Sequence, residues 1–388
     1  MNTILPLEAA SGEALRLLVD LVRLPAFSGA EKAAAEYVQS QMVRLGFEEI
    51  RCDRLGNVMG IWRGKQPGPT LFLDSHLDVV AIGDEHTWRY PPFGGVVRDG
   101  RVWGRGAADT HASLAAMLAA VASLPRANLR GQVVLAATVL EETLTAWAVE
   151  DLLAFYHPEI FITGEPTGLR LAVAQKGRAT LEIHTHGRAV HTSHPEEGDN
   201  AIKRMLAVLT RLEAMPRGSD EDLGEEVLEV TDICSDPYPN ISLVPPGCQA
   251  HLVARLLPGE TASSFLARLH RVLAGMTGVE INLATLRQTC YTGQVLEQVD
   301  FLPAWKVPPE NPWRVRILAE LRSQGLPAET MAAGFGTNAT AAAAQGITAF
   351  IYGPGELAQA HIVDEWVAVE QVERAVGGYR ALVLACLG

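Results

Sequence analysis

Cysteine is scarce in this chain, with five residues in 388, at positions 52, 234, 248, 290 and 386. The number is odd, the spacing is wide and no C-x-x-C pair occurs, which argues against a disulfide framework or a cysteine zinc site and for reduced thiols. Clusters of Lys and Arg are missing as well. With 32 basic against 45 acidic residues the formal net charge is −13, so no nucleic-acid partner is expected. A membrane-spanning run is also lacking. Residues 330–355 carry no charge, yet Gly336, Asn338, Gln345, Gly353 and Pro354 bring too much polarity and backbone breakage for a spanning helix. The opening "MNTILPLEAASGEALRLL" has no basic leader, apolar core and small-residue cleavage site. A cytoplasmic protein with no membrane partner is therefore expected. No internal repeat or low-complexity tract is found.

What is present suits a folded α/β protein. The composition is 48% hydrophobic and 20% charged, and the length is that of two domains with a core each. Helix and strand patterns alternate. Ser28 with Glu31 predicts a capping box ahead of a helix that ends at Gly46. "NVMGIW" and "TLFLDSH" read as strands, Asp99-Gly100 as a hairpin turn, Ser113 as the approximate start of a helix, and residues 133–140 as a strand. The character changes after "GEPTGLRLAVAQKG". Residues 178–290 read as a smaller inserted unit of strands and helices, which leaves 1–177 together with 291–388 as the principal domain.

Chemistry-bearing residues gather at strand ends. "VVLAATVLEETLTAW" runs from an apolar strand into Glu141 and Glu142. Alone, such a pair more often marks the solvated first turn of a helix. "TLFLDSHLDVV", however, puts His76 and Asp78 two apart at another strand end, where period-two geometry points both side chains the same way. Asp109 in "GRGAADTHASL" stands ahead of a helix, where it could simply cap it. Glu165 closes the strand in "EIFITGEPTG", and a glycine-rich loop after "AFIYG" leads to His361. In an open α/β sheet the carboxyl ends of the strands are where ligands bind.

Taken in order, "SHLDVV", "GRGAAD", "LEE", "GEPT", "GRAVHTSHPEEGDNAI" and "GPG" with "AH" resemble the ArgE/DapE/aminoacylase/glutamate carboxypeptidase family of dinuclear zinc hydrolases. The resemblance extends from "LVRLPAFSG" to "AHIVDEWV", and "FLPAWKV" and "GFGTNA" are similar to its YgeY-like subgroup. It implies a three-layer α/β/α, zinc-exopeptidase-like catalytic domain with an inserted α+β lid and dimerisation domain. It also implies two divalent metal ions per subunit, with His76 and Glu165 on one, Glu142 and His361 on the other and Asp109 bridging. Asp78 would orient His76, and Glu141 would be the general base for a metal-bound hydroxide. Zinc suits these ligands, and cobalt or manganese could replace it.

From the lid, His191 would stabilise the oxyanion, reaching the partner subunit of a homodimer, while Asn240 and Arg255 would contact substrate. Gly336 and Thr337 would add backbone contacts. An arginine on a strand is equally a surface residue, and His184, His186 and His194 read as surface or packing residues. The chain departs from the family at three places. "Asp109-Thr110-His111-Ala112" stands where D-x-K-G is usual, Val253 replaces an acidic residue two before Arg255, and the glycine after the glutamate pair is missing. The expected activity is hydrolysis of an amide bond, peptide or N-acyl, in a small amino-acid-derived substrate with a free carboxylate. The alternatives are an aminopeptidase, a hydrolase that deblocks an amino acid on a carrier, and a relative that binds metal or ligand without catalysis.

Overall fold

A computed structural model describes residues 5–239 and 242–388. Its larger sheet has nine strands, in the order Glu48–Cys52, Val58–Arg63, Arg130–Thr138, Gln66–His76, Ile160–Thr163, Thr348–Ile351, Leu171–Gln175 and Trp305–Lys306, with Thr330–Ala333 beside Leu171–Gln175. The strands 130–138, 66–76, 160–163 and 348–351 run parallel to one another. Residues 71–76, 133–138 and 160–163 are buried without interruption. Continuous burial requires cover on both faces, as parallel sheets have. The helices Leu7–Val22, Ala112–Ala122 and Val369–Leu387 pack together over this sheet, and Trp147–Tyr156 packs with Ala339–Ala344. Every residue of Ala112–Ala122 is buried, which explains why "ASLAAMLAAVA" has no polar face.

The smaller sheet follows the other rule. Its strands Val227–Asp236, Gly247–Leu256, Gly177–His186 and Val279–Leu283 are antiparallel, and Phe301–Leu302 also pairs with Gly177–His186. Residues 177–186 and 247–256 alternate strictly between buried and partly exposed. The buried set forms its own core with the helices Ala201–Glu213 and Ala262–Val272. The hairpin of Thr285–Thr289 and Val295–Val299 leaves this unit and seats on the larger one. A Cβ on Gly29 would lie 2.7 Å from the Thr289 carbonyl oxygen, and the Tyr291 hydroxyl donates to the Gly56 carbonyl (3.0 Å).

Local readings fare differently. Gly46 ends its helix at φ 88°, and Asp99 and Gly100 both take positive φ in a hairpin between Val96–Arg98 and Arg101–Trp103. The capping box does not form. Glu31 occupies the N-cap position of the helix Lys32–Leu45 without capping it, and Ser28 donates to Asp78 Oδ2 at 2.7 Å. A buried acceptor in the neighbouring strand-end loop outcompetes the local motif.

Candidate metal centre

The four parallel strands deliver their carboxyl ends to one place. His76 ends the 66–76 strand, Glu141 and Glu142 follow 130–138, Glu165 follows 160–163, and the loop after 348–351 leads to His361. A Cβ at Gly353 would lie 2.3 Å from Ser113 Oγ and 2.6 Å from the Glu165 carbonyl oxygen, so that loop reaches Glu165 only as glycine. Asp109 sits in the irregular turn 107–111 with φ −121° and ψ 89°, and its peptide bond to Thr110 is cis.

Asp109 lies between the two histidines. Its Oδ1 is 3.2 Å from His76 Nε2, and its Oδ2 is 3.2 Å from His361 Nε2. Glu165 Oε1 stands 4.0 Å from His76 Nε2, and Glu142 Oε2 stands 3.1 Å from His361 Nε2. These separations match donor atoms sharing an ion at about 2.0–2.2 Å. One ligand atom each from His76, Asp109 and Glu142 falls within 4.8 Å of the others. Glu141 faces the cavity, and its buried Oε1 has no hydrogen-bond partner, as is true of Glu165 Oε1.

Electrostatics favour a cation here. Burial and Asp109 push the Glu142 and Glu165 carboxyls up, Glu165 also through Glu141 and Glu142, and burial with Glu142, Asp78 and Asp109 does the same to Glu141. Against its own burial, Asp109 is held well below the usual range by hydrogen bonds to His361 and His76. Hydrogen bonds to Asp109 and Glu142 push His361 up to about 10. Buried carboxylates with free oxygens facing two imidazoles fit divalent cations, whose charge relieves their mutual repulsion. This is a metal-binding site.

The groups behind the ligands are arranged differently from expectation. His76 Nδ1 donates to the backbone carbonyl of Asp78 at 2.8 Å, which leaves Nε2 for the site. The Asp78 carboxylate is 3.7 Å from that nitrogen and instead accepts from the Glu141 and Glu142 amides, at 2.9 and 3.1 Å. Glu365, missed in the sequence, accepts from the Ala108 and Asp109 amides at 2.9 and 3.1 Å and pairs with Arg105 at 2.6 Å. Burial and Asp109 push its carboxyl up to about 7. The only signal was its place four residues after His361. His111 donates from Nε2 to the Leu77 carbonyl (2.9 Å), and burial pushes it down to about 4, so it is a neutral packing residue that does not line the cavity.

Above the carboxylates is a cavity of about 290 Å³, closed by Arg178 and Arg255 from the smaller sheet and by Phe335, Gly336, Leu357 and Ala360. Arg178 and Arg255 are cross-strand neighbours on its open face. Arg178 binds Asp300 Oδ1 at 2.9 Å, whereas no hydrogen bond or ion pair engages Arg255 among the described residues. Val253, two residues earlier on the same face, explains the missing carboxylate. Arg178 escaped the sequence reading because only the register of two distant strands sets it beside Arg255.

Other residues expected near the substrate sit in varied surroundings. Thr337 is fully buried and its hydroxyl donates to Gln175 Oε1 at 2.7 Å, which leaves its backbone for the expected contact, and Gly336 lines the cavity. His191 lies exposed on a loop of the smaller unit, bonded through Nδ1 to Ser193 Oγ (2.7 Å), and does not line the cavity of its own chain. Asn240 lies outside the described residues. After the glutamate pair, Ala146 takes φ 80° without being glycine and donates its amide to Asn338 Oδ1 at 2.8 Å.

Fold and site together define an α/β metallohydrolase. The family model of peptidase family M20/M25/M40 matches residues 72–385, and the chain belongs to this family. It is 29% identical over 384 residues to the uncharacterized protein YgeY of Escherichia coli (strain K12), covering 96% of this chain and 94% of that protein. To a succinyl-diaminopimelate desuccinylase of Cereibacter sphaeroides (strain KD131 / KCTC 12085) it is 29% identical over 288 residues, 69% of this chain and 75% of that one. The fold is shared with the Bacillus subtilis YXEP protein, a dinuclear metal binding peptidase from the M20 family, at a TM-score of 0.72 and 15% identity, covering 97% and 98% of the two chains. The chain is thus a metal-dependent hydrolase of amide bonds in amino-acid-derived substrates.

Proposed function

We propose that the substrate is a small N-acylated amino acid or dipeptide with a free carboxylate, and that the site works with two divalent ions, zinc first among them. His76 and Glu165 would hold one ion, Glu142 and His361 the other, and Asp109 both. Bound there, the ions supply Lewis acidity, which lowers the pKa of water from about 15.7 toward roughly 7 and polarises a carbonyl. Glu141 takes the proton of the attacking water on its unpartnered Oε1 and returns it to the leaving nitrogen. The observation that carries the reading is the unpaired Arg255 across the cavity from Glu141, since a guanidinium binds a carboxylate bidentately. Arg178, with Asp300 beside it, leaves about one net positive charge on that wall.

Residues 178–290 act as a lid and dimerisation unit hinged near Lys176–Gly177, His191 of the partner subunit completes the site, and Asn240 contacts substrate. In support, Ile202 and Leu206 are exposed on the helix Ala201–Glu213, and Val230 and Ile233 are exposed on the edge strand Val227–Asp236. The cytoplasm suits the five free cysteines, and no helix among the described residues is long and apolar enough to cross a membrane.

The test is primary-amine release from N-acetyl amino acids, N-succinyl amino acids and dipeptides by zinc-loaded protein, with Glu141→Gln as the blank. Release above that blank identifies the acyl side. Silence across the panel with two metals bound refutes the small-substrate reading.

A further inference from the structure

The chain leaves the strand Arg130–Thr138 through four consecutive residues whose amides find no strand partner. Each is held by a side chain from elsewhere. Val139 N–H donates to Asn57 Oδ1 (3.0 Å), Leu140 N–H to Glu31 Oε1 (3.2 Å), Glu141 N–H to Asp78 Oδ1 (2.9 Å) and Glu142 N–H to Asp78 Oδ2 (3.1 Å). Buried amides must be satisfied, and side-chain acceptors do this without prolonging the strand. Leu140 is the turning point. It takes φ 61°, a left-handed conformation that crowds the Cβ of a leucine. Its carbonyl is held by the amides of Thr143 (3.3 Å) and Leu144 (2.7 Å), and its amide by Glu31 alone. Beyond this turn both glutamates line the cavity, Glu142 paired with His361 and Glu141 with its Oε1 unpartnered.

Among the described residues Glu31 has no other long-range hydrogen-bond partner. It is fully buried at the head of the helix Lys32–Leu45; its Oε1 also accepts from the nearby Gly29 amide at 2.9 Å, and its Oε2 has no partner. A glutamate placed only to begin a helix would stay in water. Asn57 and Asp78, by contrast, each serve further groups, Asn57 bonding Asp53 and Ala148 and Asp78 bonding Ser28.

We infer that Glu31 is a positioning residue for the reaction: its Oε1 fixes the left-handed turn at Leu140 and thereby the aim of Glu141 at the scissile bond. This rests on Glu141 being the general base. The acceptor oxygen matters, not the charge, so Glu31→Gln keeps the function, whereas Glu31→Met removes the acceptor and Glu31→Asp withdraws it by one methylene.

The experiment measures kcat, KM and metal content of the zinc-loaded variants, together with hydrogen exchange of residues 139–142. The expected result for Glu31→Met is a kcat lower by roughly 10–100-fold with KM and metal content unchanged, the scale of a slightly misplaced catalytic group. Glu31→Gln should stay within about threefold, because the catalytic geometry is retained. Exchange across 139–142 should quicken in Glu31→Met and not in Glu31→Gln. Should Glu31→Met fail to fold, Glu31→Asp takes its place with the same expectation. Wild-type kcat in the acceptor-free or shortened variant overturns the inference, as does an equal loss in Glu31→Gln, a parallel loss of metal, or unchanged exchange. A wild type no more active than Glu141→Gln speaks against the functional reading instead, and the exchange comparison still decides the role of Glu31.

Discussion

The two walls of the cavity are built by opposite rules. The metal-binding wall is built mostly from loops at the carboxyl ends of parallel strands buried on both faces, so its carboxylates and imidazoles stand where apolar runs give out. The arginine wall is the open face of an antiparallel sheet, where polar residues are common and nothing local separates Arg178 and Arg255 from other surface residues. Depth explains the difference. Charges delivered from a buried sheet are desolvated and reactive; charges on a half-exposed sheet bind and select.

This contrast is sharpest in kinetics. Glu141→Gln is expected to lower kcat by about 10²–10⁴ while both metals stay bound, and Glu142→Gln to lose metal; activity assays with elemental analysis check both. Equal metal loss in the two would erase the division between neighbours. On the other wall, Arg255→Ala should act mainly on KM, raising it by roughly 10–100-fold through loss of a charge-assisted pair of about 1.5–3 kcal/mol, and Arg178→Ala less, because Asp300 already engages Arg178. Steady-state kinetics on the best panel substrate decide this. A change confined to kcat would make the arginine wall as catalytic as the other.

Two smaller effects sharpen the metal-binding wall itself. Burial pushes Glu31 up to about 7, from an ordinary value of 4.5. The folded chain then holds a proton that the unfolded chain releases, so this group's contribution to stability falls as pH rises across that window. In metal-free protein, Glu31→Gln should melt with a weaker pH dependence between about 4.5 and 7 than the wild type; parallel curves would refute the shift. Ala146→Gly should stabilise by about 0.5–1 kcal/mol, because alanine at positive φ is strained and glycine is not. Urea denaturation measures it, and destabilisation would mean that packing around the methyl group outweighs the backbone.

Much of the fold was legible because apolar runs and their polar ends are local. The strands 66–76 and 160–163, the hairpin at Asp99-Gly100 and the helix cap at Gly46 all follow from short patterns. The candidate ligands were less plain one by one: Glu142 could open a helix and Asp109 could cap one, and the family resemblance gathered them with His76, Glu165 and His361 into one set. What failed was what depends on a distant partner. Ser28 and Glu31 look like a capping box until Asp78 and Leu140 are placed beside them.

The sequence by itself determined which groups end the buried strands, because hydrophobic periodicity and its interruption lie within a few residues of each other. Only the tertiary structure decided how those groups are aimed. It gave Asp78's carboxylate to the glutamate amides and its carbonyl to His76, set Glu365 under Asp109, and paired Arg178 with Arg255. The physical reason is that a buried hydrogen-bond donor takes whichever acceptor the packed chain brings within about 3 Å, and that choice joins residues far apart in sequence.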